Sequence, residues 1–141
     1  MKPDVRQTFT GTEGKVWIGA DEISEIDQFS SEVTMNYEEM NFVGHYGTFQ
    51  REIGWAGEGS LTMKKINSRA LKLFAAAFKR GEAPRLVIVG LVKNGLGQSQ
   101  RVTMKDCTFD KFSLAQFENK AITNEELSFK FSDYDVVDLV D

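Results

Sequence analysis

The chain has 141 residues, 41% hydrophobic and 27% charged, with a formal net charge of −4. That length suits a single domain with one full core, and the composition is ordinary for a globular protein. The acidic balance argues against tight nucleic-acid binding, which needs clustered Lys and Arg to displace counterions, and gives no pull toward an anionic membrane surface.

Eleven Phe against two Pro point to strands packing aromatic side chains and not to a disordered linker. The polar start MKPDVRQTFTG lacks an apolar leader core. No stretch approaches the ~20 apolar residues of a membrane span. No membrane anchor is expected, and the chain is expected to stay where it is made or to leave by lysis. The single cysteine, Cys107, cannot form an intrachain disulfide. It reads as a small buried hydrophobe, and a reducing compartment fits.

In chain order, the first strand is expected at Gly14 to Ile18, ended by the turn Gly19-Ala20-Asp21, with Ile23 to Ile26 as its hairpin partner. Glu32 to Tyr37 alternates, with Val33, Met35 and Tyr37 on one side and Glu32, Thr34 and Asn36 on the other, the period of a half-buried strand. Residues 38–58 combine Gly44, Gly47, Gly54 and Gly57 with Phe42, Tyr46, Phe49 and Trp55. That stretch is too apolar for a solvated loop and reads as a long interface loop or hairpin, buried against a neighbouring copy. Ser60 to Lys64 alternates again.

One helix is predicted at residues 68–80, capped by Asn67 or Ser68. Ala70, Leu73, Phe74, Ala77 and Phe78 make one apolar face, Gly81 supplies the left-handed stop and Pro84 bars resumption. Leu86 to Val92 reads as a buried strand, Asn94-Gly95 as a turn, and Arg101 to Thr108 as the returning strand. Phe109, Phe112 and Leu114 are assigned to the next strand or its edge. Leu127, Phe129 and Phe131 alternate with polar neighbours, and the acidic stretch from Ser132 to the end is left unassigned. Seven to eight strands with one helix imply a mainly β fold: an antiparallel sandwich or small barrel flanked by the helix, one domain over residues 1–141.

Little in the chain suggests catalysis. His45, the one histidine, reads as a structural or interface residue. One His and one Cys cannot make a zinc site, and the acidic pairs Glu38-Glu39 and Glu125-Glu126 lack the spacing of a calcium loop. The run G-W-A-G-E-G at 54–59 is followed by neither the Lys-Ser/Thr of a phosphate loop nor a helix. No enzyme activity, cofactor or metal is therefore expected. Lys64, Lys65, Arg69, Lys72, Lys79 and Arg80 cluster around the helix, a weak nucleic-acid patch but a possible docking face for an acidic partner.

Three segments, FTGTEGKVWIG at 9–19, GTFQREIGWAGEGSLTMKKINSR at 47–69 and FENKAITNEELSFKFSDYDVVDLV at 117–140, together resemble the core tail-tube proteins of the PBSX prophage type, found in contractile phage tails and R-type bacteriocin-like particles. The resemblance implies a structural subunit that self-assembles into hexameric rings, stacked into a hollow tube inside a contractile sheath. DNA or ions would pass through the lumen without specific binding. It implies as partners other copies of the chain, a sheath protein, and baseplate or initiator and terminator proteins. It places the protein in a virion or tail-like particle assembled in the host cytoplasm. The subunit interface is expected at Tyr37, Phe42, His45, Tyr46, Phe49 and Trp55, and a sheath-facing surface at Lys72 and Lys79. Two other readings stay open: a ligand-binding β-barrel, which would leave the aromatic, glycine-rich stretch unexplained, and a secretion-system tube protein.

Overall fold

The computed structural model describes residues 4–140. A short 3-10 turn, Val5–Gln7, opens the chain, capped by Asp4, whose side chain accepts from the Arg6 amide. Eight strands follow: β1 (Phe9–Ile18), β2 (Asp21–Glu22), β3 (Ile26–Met40), β4 (Phe49–Lys64), β5 (Leu86–Asn94), β6 (Ser99–Phe109), β7 (Asn124–Phe131) and β8 (Asp133–Asp138). All pairings are antiparallel, in the order β2-β1-β5-β6-β7-β4-β3, with β8 also on β6. β6 joins the two halves. Its residues 101–105 pair with β8, and Thr108 and Phe109 pair with β7.

The core lies where the two halves face each other. Val16, Ile18, Ile88, Met104 and Cys107 come from one half, and Leu61, Met63, Leu127, Phe129 and Phe131 from the other. Phe74 of the helix fills the middle, its ring 4.8 Å from that of Phe109.

The helix runs over 69–79, within the expected span, but its middle, Leu71–Ala75, is wound as a π-helix and only Ala76–Lys79 as α. Asn67, and not Ser68, caps its start through Oδ1 and the Arg69 amide at 3.1 Å. Ala70 and Phe74 are buried and Leu73, Ala77 and Phe78 half-buried, as the apolar spacing predicts. Gly81 takes a φ of +79°, and the Glu82 amide reaches back to the Ala77 carbonyl at 2.9 Å, closing the end as expected.

Several boundaries differ from the sequence reading. The hairpin partner of β1 is the short Asp21–Glu22, paired through Trp17↔Glu22, and not Ile23 to Ile26; past it the Ile23 amide still donates to the Val16 carbonyl at 2.9 Å while its side chain is buried in the core. The strand expected at Ser60 begins at Phe49. Phe112 and Leu114 lie in the irregular connection 110–123, where Phe112 packs on Phe78 at 5.3 Å. The acidic end forms β8, held to β6 by Lys105–Asp135 at 2.5 Å and by the Met104↔Tyr134 register.

Candidate functional site

β3 and β4 pair from Ile26↔Met63 out to Met40↔Phe49, whereas β7 covers β4 only from Gly57 to Lys64. Beyond Gly57 the two strands continue alone as a ribbon. Successive side chains alternate between faces, so Phe29, Val33, Met35 and Tyr37 share one face. Phe29 stacks on Phe129 in the core at 6.1 Å. Past Ser31 the row therefore runs on out along the ribbon, where no described residue buries it: Val33 and Met35 are each 43% exposed and Tyr37 51%. Trp55, opposite Met35, closes the inner end of this row against Tyr134 at 5.3 Å and Phe131 at 6.3 Å.

Two glycines shape the ribbon. Gly54 takes a φ of +150° where Ile53 is the extra residue between the Asn36↔Gly54 and Tyr37↔Glu52 pairs, a bulge that twists the outer half. Gly44, at φ +89°, turns the tip. There Phe49 holds Phe42 at 5.4 Å and His45 at 5.8 Å, while Val43 and Tyr46 project fully into solvent.

The interface residues expected from sequence thus fall into two places. Phe42, His45 and Phe49 gather at the tip with Tyr46 beside them, and Tyr37 and Trp55 lie on the apolar face. Sequence reasoning missed Tyr134, because acidic neighbours disguised β8. It also missed Leu114, Phe117 and Ile122, which stand exposed in the 110–123 connection without any periodic pattern.

The opposite face of β3, β4 and β7 is polar: Ser30, Glu32 and Thr34, then Glu58, Ser60 and Thr62, then Glu126, Ser128 and Lys130. Glu32 and Glu58 are direct cross-strand partners, and Glu58 pairs in turn with Lys130. Like charges opposite each other oppose pairing, and the lysine one strand further offsets them. Lys72 and Lys79 on the helix are exposed and in no ion pair among the described residues.

Where β4 passes into the helix, two ion pairs anchor the chain. Arg69 Nε donates to Glu25 Oε1 at 3.1 Å, and Lys65 Nζ donates to Glu125, which is 3% exposed. Cys107 is fully buried, and burial pushes its thiol up to about 11. Among the described residues no cluster of His, Cys, Asp and Glu is placed to hold a metal ion, and no helix is long and apolar enough to cross a membrane.

An antiparallel sheet that carries its apolar face beyond its own body, with a bare strand at its edge, fits a component of a larger β-assembly. The family model described as phage tail tube protein matches residues 1–138, and the chain belongs to this family. It is 29% identical to the phage-like element PBSX protein XkdM of Bacillus subtilis (strain 168), over 96% of this chain and 95% of that protein. Its fold is similar to a chain in the PVC sheath–tube complex of an extracellular contractile injection system in the extended state, at a TM-score of 0.74 and 11% identity, covering 94% and 93% of the two chains. It is also similar to a chain in the anti-feeding prophage cap, at a TM-score of 0.77 and 10% identity, covering 99% and 97%. The family indicated by the three sequence segments is the family found, and the chain is a phage tail tube protein by family.

Proposed function

We propose that this subunit closes into hexameric rings that stack as a hollow conduit for DNA or ions inside a contractile sheath, and that it works as a structural part with no catalytic step. The observation that carries this reading is the uncovered apolar ribbon. Val33, Met35 and Tyr37 continue the core outward and gain burial only against another copy.

The sheet edges support the same reading. Among the described residues β3 pairs only with β4, and β7 meets β6 only at Thr108 and Phe109, so each flank of this half offers free backbone groups. Edge-to-edge joining of identical copies is heterologous and closes a ring, which removes both edges. Tyr37 and Trp55 then belong to the contact around the ring, and Phe42, His45, Tyr46 and Phe49 to contacts beyond it. Residues 38–58 gain their full protection only on assembly. Hydrogen exchange that is equal in monomer and tube over this segment contradicts that.

The polar face of β3, β4 and β7 becomes the lumen wall. Glu32, Glu58 and Glu126 outnumber Lys130 on this face, so its net charge is that of phosphate and keeps a nucleic-acid cargo from adhering. The helix faces outward, with Lys72 and Lys79 toward an acidic sheath protein. Charge reversal at both lysines then leaves bare tubes intact and weakens sheathing; normal sheathing overturns the assignment. Initiator, baseplate and terminator proteins act at the tube ends. The particle, virion or tail-like, is assembled in the bacterial cytoplasm. Single chains, domain 1–141, serve as the building unit.

Electron microscopy of the purified protein, alone at high concentration and with its initiating complex, tests the reading. Rings or tubes with a central channel are expected. Featureless particles under both conditions overturn it and favour a self-contained barrel.

A further inference from the structure

The hairpin tip and the 110–123 connection lie at opposite ends of the same strands. β4 starts at Phe49 beside the tip and ends at Lys64. There the Lys65 amide donates to the Thr123 carbonyl at 2.9 Å, which brings the end of the connection to the foot of β4. The residues of β4 span about 50 Å at ~3.3 Å each, so the two ends cannot meet within one chain.

Both ends are apolar and bare. Val43 and Tyr46 are fully exposed at the tip, and Leu114 is 73%, Phe117 90% and Ile122 75% exposed at the foot. A connection of this length without regular structure in a compact fold usually serves a contact.

The tip is acidic and the connection offers cations: residues 32–58 hold five glutamates and one arginine, and residues 110–123 hold Lys111 and Lys120 beside Asp110 and Glu118. Glu38, Glu39 and Glu52 near the tip, and Lys111 and Lys120 in the connection, are in no ion pair among the described residues.

We infer that the hairpin tip of one copy seats on the 110–123 connection of a second copy, with Val43 and Tyr46 against Leu114 and Phe117 and the glutamates of the tip toward Lys111 and Lys120. The two patches differ, so the contact is heterologous. They lie at opposite ends of the strand direction, so its repetition extends an open stack and does not close a ring. The inference rests on the tube reading and supplies the axial joint that reading requires.

Cross-linking tests it. Val43→Cys and Phe117→Cys are introduced together, and Cys107, fully buried, stays out of the reaction. Mild oxidation after assembly is expected to give a ladder of covalent multimers from the double variant. A mixture of the two single variants is expected to stop at a covalent dimer, and neither single variant alone is expected to cross-link. Tubes that assemble without any cross-link, or Val43→Cys joining to itself, overturn the joint and leave the tube reading standing. Cross-links without rings keep the joint and overturn the ring. Neither rings nor cross-links overturns both. As a second check, Phe117→Asp, at an exposed position, is expected to yield rings that do not stack; tubes of ordinary length contradict the inference.

Discussion

Gly57 lies opposite Phe131 in the β4–β7 register, and a Cβ on Gly57 would stand 2.3 Å from the Phe131 ring. Gly59 repeats the arrangement two residues on, where a Cβ would meet the Phe129 ring at 2.5 Å and the Ser30 carbonyl at 2.6 Å. The glycines of the G-W-A-G-E-G run therefore make room for aromatic rings that cross from the neighbouring strand. Phe131 is a side chain at the edge of the core and can swing aside, whereas Ser30 presents backbone on a paired strand. Gly59→Ala is expected to cost more than Gly57→Ala, about 2–3 kcal/mol as a core overpacking, read from the shift in urea midpoint. Equal and negligible shifts would mean that the two strands part freely.

Lys65 neutralises Glu125 where β4 leaves the sheet, and the second oxygen of that carboxylate, Oε2, is buried without a hydrogen-bond partner among the described residues. Removing the lysine leaves a buried charge alone. Lys65→Ala is expected to destabilise the subunit by about 3 kcal/mol, and adding Glu125→Leu is expected to restore most of the loss. A double variant no more stable than Lys65→Ala would show that the carboxylate is not the source of the cost.

Asp106 adopts a φ of +58° at the β5–β6 irregularity, accepts from Ser132 Oγ at 2.7 Å and takes Arg85 Nη1 at 3.0 Å on both oxygens. The Ser132 hydrogen bond, then Arg85, hold its carboxyl below the usual range. A lowered folded-state value means that the carboxylate stabilises the fold above the ordinary carboxylate pKa, about 4, and that this contribution fades as pH falls through the depressed folded value. Asp106→Asn keeps a residue tolerant of positive φ. Its Tm is expected to lie below the parent's at pH 7 and to converge with it in acid. A gap independent of pH would place the effect in shape and not in charge.

Cys107 has its thiol raised by burial to about 11, so little thiolate exists at neutral pH and none is accessible. A thiol reagent at pH 8 is expected to label the folded protein far more slowly than the urea-unfolded chain. Labelling at comparable rates would indicate that the junction of β5 and β6 opens readily.

Much of the fold was legible in sequence because its signals are local. The apolar spacing of Ala70, Leu73, Phe74, Ala77 and Phe78 marked the helix, Gly81 its end, and the alternation at Leu127, Phe129 and Phe131 marked β7. A mainly β, antiparallel fold of seven to eight strands followed from such patterns, and the family from three motif segments. Residues 38–58, read as a loop or hairpin, form the outer half of a continuous hairpin whose strand limits the glycines disguised, and at β8 aspartates hid the strand altogether.

The sequence by itself determined the composition, the helix face and the kinship. Only the tertiary structure decided that Val33, Met35 and Tyr37 extend the core row into solvent, that Glu32 meets Glu58 across a bare polar face, and that Val43 and Phe117 stand at opposite ends of one strand pair. Those relationships depend on register and on where neighbouring strands stop, and these are fixed by contacts between residues far apart in the chain.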